Sequence, residues 1–421
     1  MNLLTLHSLT SPLGDAAIAA ARDLDPTEES FLPCLTKLQK QFDSDLAKAA
    51  LETVILRKKA QTKFSRADSM FFTRAGLEMA SGEIVSRYRA KRFAHFDHVA
   101  DLCCGIGGDS IGLGLRNPTS PTLGEVEDFA LHAIDSDPLH LALAQLNLAA
   151  YNARADFVQS DLAKDKPPQA DAYFFDPSRR AAHKRIFSVK DYQPPLSLID
   201  SLSPKPVAVK ISPGVKMSEI EKYDCEVEFI SVEGELKECV LWFGFAETFR
   251  RNVSTLLRPD HDPLHLTEDL SLVSPVSISS PLQYLYELDP SVLRAGLVTT
   301  LARQIDAQQI DADISYLTSQ RLTATPWARL FFIEAAMPFS QKRLREKLRS
   351  MNVGRVTIKK RGSPLDVDEF ARSLKLKGDE ERIIFLTHVK GEAWVLIGLE
   401  TSEGAQHAAP LRKSEVDNDL T

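Results

Sequence analysis

The sequence predicts an α/β fold: a parallel sheet with crossover helices, preceded by a helical region and followed by a small α+β domain. Three observations predict it. From His98 onward, short β-rich runs alternate with helical stretches, the rhythm of parallel strands joined by crossovers. A glycine-rich turn, Gly105-Ile106-Gly107-Gly108, follows the first of those runs and leads into a helix. Finally, Glu226–Val232 and Glu238–Phe245 are joined by only a few residues around Gly234, which predicts an antiparallel pair at the sheet edge.

Residues 1–92 read as helical, because Leu35, Leu38, Phe42, Leu46 and the run Leu51 to Leu56 recur at helical spacing without strand-like alternation. The alternating domain, 93–249, runs through Val99–Leu102, a helix over Ser110–Arg116, Phe129–Asp135, a helix over Pro138–Tyr151, Asp156–Gln159, Ala172–Phe175 and Val207–Ile211. Residues 250–281 are Pro/Ser-rich and read as a connector with little core. Residues 282–400 form the α+β unit, with a helix over Pro290–Gln308 and strands Arg329–Ile333, Val353–Lys359, Arg382–His388 and Glu392–Leu399. Helices Gln341–Ser350 and Asp366–Ser373 lie between those strands, and the polar tail 401–421 reads as disordered.

Composition narrows the class. No apolar run approaches the roughly 18 to 20 residues that span a bilayer, and the N-terminus lacks the basic and apolar regions of a secretory signal. The five cysteines are scattered, apart from the adjacent Cys103-Cys104, a poor arrangement for one tetrahedral metal. The expectation is a cytoplasmic protein with neither a membrane nor a metal as partner. The net charge of −7 conceals two basic segments: Ile55–Arg92 has ten Lys/Arg against three Asp/Glu, and Pro338–Gly378 has twelve against four. Basic segments on an acidic background suggest a polyanionic partner, with solvated helix faces as the bland alternative.

In Asp101-Leu102-Cys103-Cys104-Gly105-Ile106-Gly107-Gly108 a strand must end and turn sharply, bringing backbone close to a ligand before a helix begins. The spacing is not G-x-G-x-x-G, so a pyrophosphate reading is weak. Asp101 sharpens this, because an acid at the mouth of the loop repels phosphate but pairs with an ammonium such as that of a methionine moiety. Some thirty residues on, Asp135 closes the second strand, where an acid accepts ribose hydroxyls. Asp137 reads as the cap of the helix that Pro138 begins. Asp161 closes the third strand, placed to accept an adenine amino group. Three acids at three successive strand ends converge on one crevice.

These segments resemble motifs I and II of class I S-adenosylmethionine-dependent methyltransferases, whose sheet is Rossmann-like with an antiparallel edge strand. The resemblance implies that Asp101, Gly105 and Gly107 line the methionine end of the cofactor site, that Cys103 of the same loop is cofactor-binding, and that Asp135 lies at the ribose and Asp161 at the adenine. The Cys103–Gly108 loop and Asp68-Ser69-Met70-Phe71-Phe72-Thr73 are also similar to the trimethylguanosine synthases.

Phe174-Phe175-Asp176-Pro177-Ser178-Arg179-Arg180 closes the fourth strand, where methyltransferases acting on exocyclic amines carry Asp/Asn-Pro-Pro-aromatic. The resemblance implies that Asp176 and the Pro177 carbonyl accept hydrogen bonds from an amine and orient it, which supplies most of the effect without a strong base. Ser178-Arg179 stands where the second proline and stacking aromatic would be. Stacking then falls to Arg179 or to Phe71 or Phe72, and Arg179 and Arg180 can alternatively hold phosphate or carboxylate, or form a structural salt bridge to the sheet edge. Lys210, at the end of the fifth strand, either faces substrate or is an ordinary strand-end lysine. No cysteine stands near that strand end as a nucleophile, and Cys225 and Cys239 read as core.

Residues Tyr284–Pro290, Ile314–Thr318 and Gly354–Gly362 resemble the THUMP-like domain that follows a methyltransferase core in a bacterial family. True THUMP domains bind RNA. The resemblance therefore implies an RNA partner, tRNA or rRNA, gripped in part by Lys359, Lys360 and Arg361, with a base amine, that of guanine among the candidates, as target. A small-molecule or protein substrate is the alternative, and a non-catalytic RNA-binding or assembly factor that retains the cofactor fold is another.

Overall fold

A computed structural model describes residues 1–115, 130–178, 180–181, 184–185, 188–245, 251–269 and 275–401. The described residues divide into two units, Met1–Glu226 with Cys239–Phe249, and Val227–Glu238 with Arg250–Thr421.

The first unit opens with helices α1 (Leu3–Leu9), α2 (Pro12–Asp23), α3 (Phe31–Leu38), α4 (Ser44–Ala60), α5 (Arg74–Met79) and α6 (Glu83–Ala90). Side-chain caps by Asn2, Ser11, Asp43 and Thr73 start four of them, each satisfying an orphan backbone N–H. The central helix α4 buries Leu46, Leu51, Val54, Ile55 and Leu56, several of them the leucines whose spacing predicted it.

Strand and helix then alternate: β1 (His98–Leu102), α7 (Gly108–Gly114), β2 (Ala130–Asp135), α8 (Pro138–Ala150), β3 (Asp156–Gln159) and β4 (Ala172–Phe175). A small pair, β5 (Arg180–Ala181) and β6 (Lys184–Arg185), precedes α9 (Leu198–Leu202), β7 (Val207–Ile211) and α10 (Met217–Ile220). Strands β3, β2, β1, β4 and β7 lie side by side in that order, all parallel. Strands β4 and β7 are buried at every position, as sheet covered on both faces requires. The second half of β9 (Glu235–Phe243) runs antiparallel to β7, pairing Phe243 with Val207 and Cys239 with Ile211. Cys225 and Cys239 are core, as their positions implied.

In the second unit, β8 (Glu226–Val232) is followed by β10 (Asn252–Leu257) and β11 (Leu264–Thr267). Two expectations are corrected here. β10 pairs parallel with β8, and β11 antiparallel with β10, so β8 is not an edge strand. The stretch read as a connector therefore carries a strand buried at five of six positions. Its Pro/Ser-rich character comes from the flanking turns, and Val253, Leu256 and Leu257 are the apolar signal that composition outweighed.

The remainder forms a second, mixed sheet from β12 (Tyr284–Leu288), β13 (Gln308–Gln309), β14 (Tyr316–Ser319), β15 (Ala328–Pro338), β16 (Val353–Lys360), β17 (Glu380–Val389) and β18 (Glu392–Glu400), in the order β13-β14-β12-β15-β18-β17-β16. The helix expected over 290–308 is two, α11 (Pro290–Arg294) and α12 (Val298–Gln304), separated where Gly296 takes a positive φ of 71°. Helices α13 (Gln341–Ser350) and α14 (Val367–Leu374) bury Leu344, Leu348, Phe370 and Leu374 against Ile384, Leu386 and Ile397. Of the expected tail, residues 402–421 lie outside the described residues. No helix among the described residues is long and apolar enough to cross a membrane.

Candidate active site

The C-terminal ends of β1, β2, β3 and β4 open onto a cleft of about 540 Å3, lined by Cys103, Gly105, Asp135, Asp161, Asp176, Pro177 and Ser178 among others. Seven residues named from sequence thus meet in one place. The turn after β1 is what makes room. Cys103, Gly105 and Gly107 all take positive φ, at 69°, 55° and 86°. The Cys103 conformation carries about 1–2 kcal/mol of steric cost for a residue with a Cβ.

The two glycines serve different ends. A Cβ on Gly105 would meet nothing within 4 Å, because that side of the residue is open space at the cleft. A Cβ on Gly107 would lie 2.8 Å from Leu148 Cδ1 and 3.1 Å from Ala144 Cα. Gly107 does not line the cleft; it lets the turn press onto α8, a correction to its expected place at the ligand.

Asp101 is corrected as well. It is fully buried beneath the turn rather than at its mouth, with Oδ2 accepting from Ser110 Oγ and Oδ1 without a hydrogen-bond partner. Burial and the neighbouring Asp109 push its pKa up to about 8, and Asp176 adds to this against the Ser110 bond.

Asp135 is held from several sides. Its Oδ2 accepts from the Gly105 N–H at 2.9 Å, and its Oδ1 from the Asp137 N–H at 2.9 Å and faces His140 Nδ1 at 3.2 Å. Burial alone would raise its pKa, but the His140 bond and these backbone donors keep it low. Asp135 in turn raises the pKa of His140, a cleft residue that sequence reading missed and whose one signal was its place in the first turn of the helix after Pro138. Asp137 caps α8, its Oδ1 accepting from the Leu139 N–H at 2.8 Å. Asp161 is half-exposed, paired with Lys164 at 2.7 Å. The Cys103 and Cys104 thiols are pushed well up by burial and the nearby carboxylates, so neither is a ready thiolate.

On the other side of the cleft, the Asp176 N–H donates to the Leu102 carbonyl at 3.1 Å. Ser178 and Gln193 exchange backbone hydrogen bonds of 2.7 and 3.2 Å, fixing the segment that carries Pro177. Lys210 is not at the cleft surface. It is buried, with Nζ 2.5 Å from Asp176 Oδ2 and 3.5 Å from Asp109 Oδ2. Asp109 also accepts from Arg89 and Ser81; burial would raise its pKa, but Arg89 and Lys210 hold it at about 2.

The expected aromatic platform does not form from Phe72. Its ring is buried against Phe64, centroids 5.9 Å apart, while Phe71 lies under the Arg57 guanidinium at 4.7 Å. Arg179 and the Arg180 side chain lie outside the described residues.

The first basic segment is largely taken up by the fold. Arg57 donates to the Met70 carbonyl, Lys63 to the carbonyls of Leu77, Glu78 and Ala80 at the end of α5, and Lys58, Lys59, Arg74, Arg87, Arg89 and Arg92 pair with carboxylates. In the second unit, the half-buried Lys359 is paired with Glu287 at 2.5 Å, and the half-buried Arg361 sits 4.9 Å from the Tyr316 ring. Lys360, one residue over on the strand, is exposed and donates to the Leu365 carbonyl at 3.1 Å.

Comparisons with known proteins bear on the family and the fold. A family model described as THUMP domain-like matches residues 328–400, and one described as a domain of unknown function (DUF8688) matches residues 2–60. Uncharacterized S-adenosylmethionine-dependent methyltransferases of two Mycobacterium tuberculosis strains, CDC 1551 and H37Rv, are each 30% identical over 358 residues, 82% of this chain and 94% of theirs. The crystal structure of a Porphyromonas gingivalis W83 protein assigned as a methyltransferase superposes with a TM-score of 0.71 at 21% identity, covering 92% of this chain and 98% of that one; this is a likeness of fold. With a class I Rossmann-like sheet, a THUMP-like C-terminal domain and S-adenosylmethionine as cofactor, the chain belongs to the S-adenosylmethionine-dependent methyltransferases.

Proposed function

We propose that the enzyme methylates an exocyclic amine of a base in structured RNA. The observation that carries this reading is that Asp176 and Pro177 share one cleft with Asp135 and Asp161. Its volume of about 540 Å3 lies within the range of roughly 300–1,000 Å3 usual for ligand sites. One feature suits a cofactor at the β1–α7 turn: the open space beside Gly105, which lines the cleft.

In this reading Asp135 takes the ribose hydroxyls, Asp161 the adenine amino group, and the backbone of Cys103 and Gly105 the methionine end. The cofactor supplies an electrophilic methyl group on a sulfonium. The chain's part is to orient the acceptor: the Asp176 carboxylate and the Pro177 carbonyl receive N–H bonds from the amine, which aims its lone pair. Ser178 closes that side of the pocket, and nothing strongly basic is required. Asp101 sits below and shapes the turn.

RNA is favoured by the THUMP-like segment and by α13 within it. That helix buries Leu344 and Leu348 and exposes Lys342, Arg343 and Arg349 on its other side. Such a face binds phosphates with little regard to sequence. Arg179, Arg180 and Lys360 are further candidates for backbone contacts.

The test is transfer of a labelled methyl group from the cofactor into total RNA, cell protein or a small-molecule extract, each taken from cells lacking the gene. Nuclease-sensitive label in RNA is the expected result, lost in Asp176→Ala while cofactor binding persists. Label in protein or small molecules, or an active Asp176→Ala, would reject the reading.

A further inference from the structure

A line of charges runs from the helical region to the acceptor side of the cleft. Arg89, on α6, donates to Asp109 Oδ1 with its guanidinium 4.5 Å from the Phe174 ring. Asp109 Oδ2 faces Lys210 Nζ at 3.5 Å, and the same ammonium meets Asp176 Oδ2 at 2.5 Å. The side chains of Arg89 and Lys210 are only 2% and 4% exposed, whereas that of Asp176 is 21% exposed and lines the cleft.

Such burial is informative. An ammonium removed from water carries a large desolvation penalty, offset only by close carboxylates in good geometry. Lys210 has two, on different elements. It cannot touch a molecule in the cleft, because it is not part of the cleft wall. Its influence on a bound acceptor passes through the carboxylates it engages, Asp176 and Asp109, which both line the cleft, and Asp176 is the closer of the two.

We infer that Lys210 is a positioning residue: by engaging Oδ2 of Asp176 it fixes the carboxylate's orientation and leaves Oδ1 to receive an N–H from the acceptor. The inference rests on the reading of Asp176 as the acceptor-binding group and deepens it. A carboxylate so paired is a hydrogen-bond acceptor only. The site therefore selects acceptor atoms that still carry an N–H, and disfavours carbonyl oxygens and tertiary amines. Arg89 and Asp109 hold the lysine in turn, so Arg89 on α6 contributes to acceptor alignment without itself lining the cleft.

Lys210→Met leaves the Arg89–Asp109 pair intact and Asp176 beside solvent, so the variant should fold; Lys210→Gln replaces it if it does not. Two measurements on the full chain test the idea. In crystal structures with S-adenosylhomocysteine, the Asp176 carboxylate should turn away from its wild-type place in Lys210→Met and return in Lys210→Arg, with the cofactor product bound alike in all three. With total RNA from cells lacking the gene as probe, kcat should fall on the order of 100-fold in Lys210→Met, as expected for a misplacement of about 1 Å. The KM for cofactor should stay unchanged, and Lys210→Arg should recover most of the rate. An unmoved Asp176 carboxylate in Lys210→Met, or an unchanged kcat, overturns the inference. Wild-type enzyme that methylates no RNA defeats the RNA reading instead, and the crystal structures then decide on Lys210 alone.

Discussion

Asn147 clasps the backbone of Phe71, 76 residues away: its Oδ1 accepts from the Phe71 N–H at 2.8 Å and its Nδ2 donates to the Phe71 carbonyl at 3.0 Å. The same Nδ2 donates to the Ile106 carbonyl at 2.9 Å, so one buried amide ties the helical region and the turn after β1 to α8. Removing it strands three buried backbone groups, each at roughly 1–3 kcal/mol. Asn147→Ala is expected to lower stability by about 3 kcal/mol or more in urea unfolding and to weaken cofactor binding. A loss below about 1 kcal/mol would mean that these groups find other partners.

The two glycines of the turn should fail differently. Both sit at positive φ, so alanine is strained at either, by about 1 kcal/mol or more. Only at Gly107 does the new methyl also strike Leu148 and Ala144, adding about 1–3 kcal/mol. Gly107→Ala should therefore be the less stable protein. Gly105→Ala should stay folded and lose cofactor affinity at least tenfold in calorimetry, because its methyl projects where the ligand belongs. The reverse ranking would contradict the assignment.

Asp101 gives the stability a pH dependence. Its folded pKa of about 8 stands above the ordinary carboxyl value of 3.8, so between those values the folded chain holds a proton that the unfolded chain releases. This group's contribution falls as pH rises from about 4 to about 8 and levels off beyond. Asp101→Asn cannot ionise. Its urea midpoint relative to the wild type should therefore climb steadily from pH 5 to 8.5, and a constant difference would show that Asp101 is ionised throughout.

The exposed face of α13 should contribute through counterion release. Replacing Lys342, Arg343 and Arg349 together by Gln should weaken RNA binding and reduce the slope of log K against log salt by up to about three. Cofactor affinity should not change. An unaltered slope would place the RNA surface elsewhere.

Much of this is legible in the sequence. Strand ends are local features: a run such as Val99–Leu102 followed by glycines announces its own turn, and Asp135, Asp161 and Asp176 each close such a run, so their convergence follows from parallel topology. What sequence conceals is direction. Whether Asp101 points into a cleft or beneath it, or whether Lys210 meets substrate or a carboxylate, depends on side-chain packing between elements far apart in the chain. Charge counts misled for a similar reason. The lysines and arginines of 55–92 looked like a binding face, but their partners, Asp25, Glu28, Asp109 and Glu226 among them, lie mostly outside that window.

The proposed reaction places a methyl group on one RNA base amine in the cleft that contains Asp176. Nucleoside mass spectrometry of total RNA from cells with the gene, without it, and with the Asp176→Ala allele tests it most directly. One N-methylated nucleoside should disappear in both mutant strains and return when RNA from the deletion strain is treated with the purified wild-type enzyme. An unchanged set of methylated nucleosides across the three strains would contradict it.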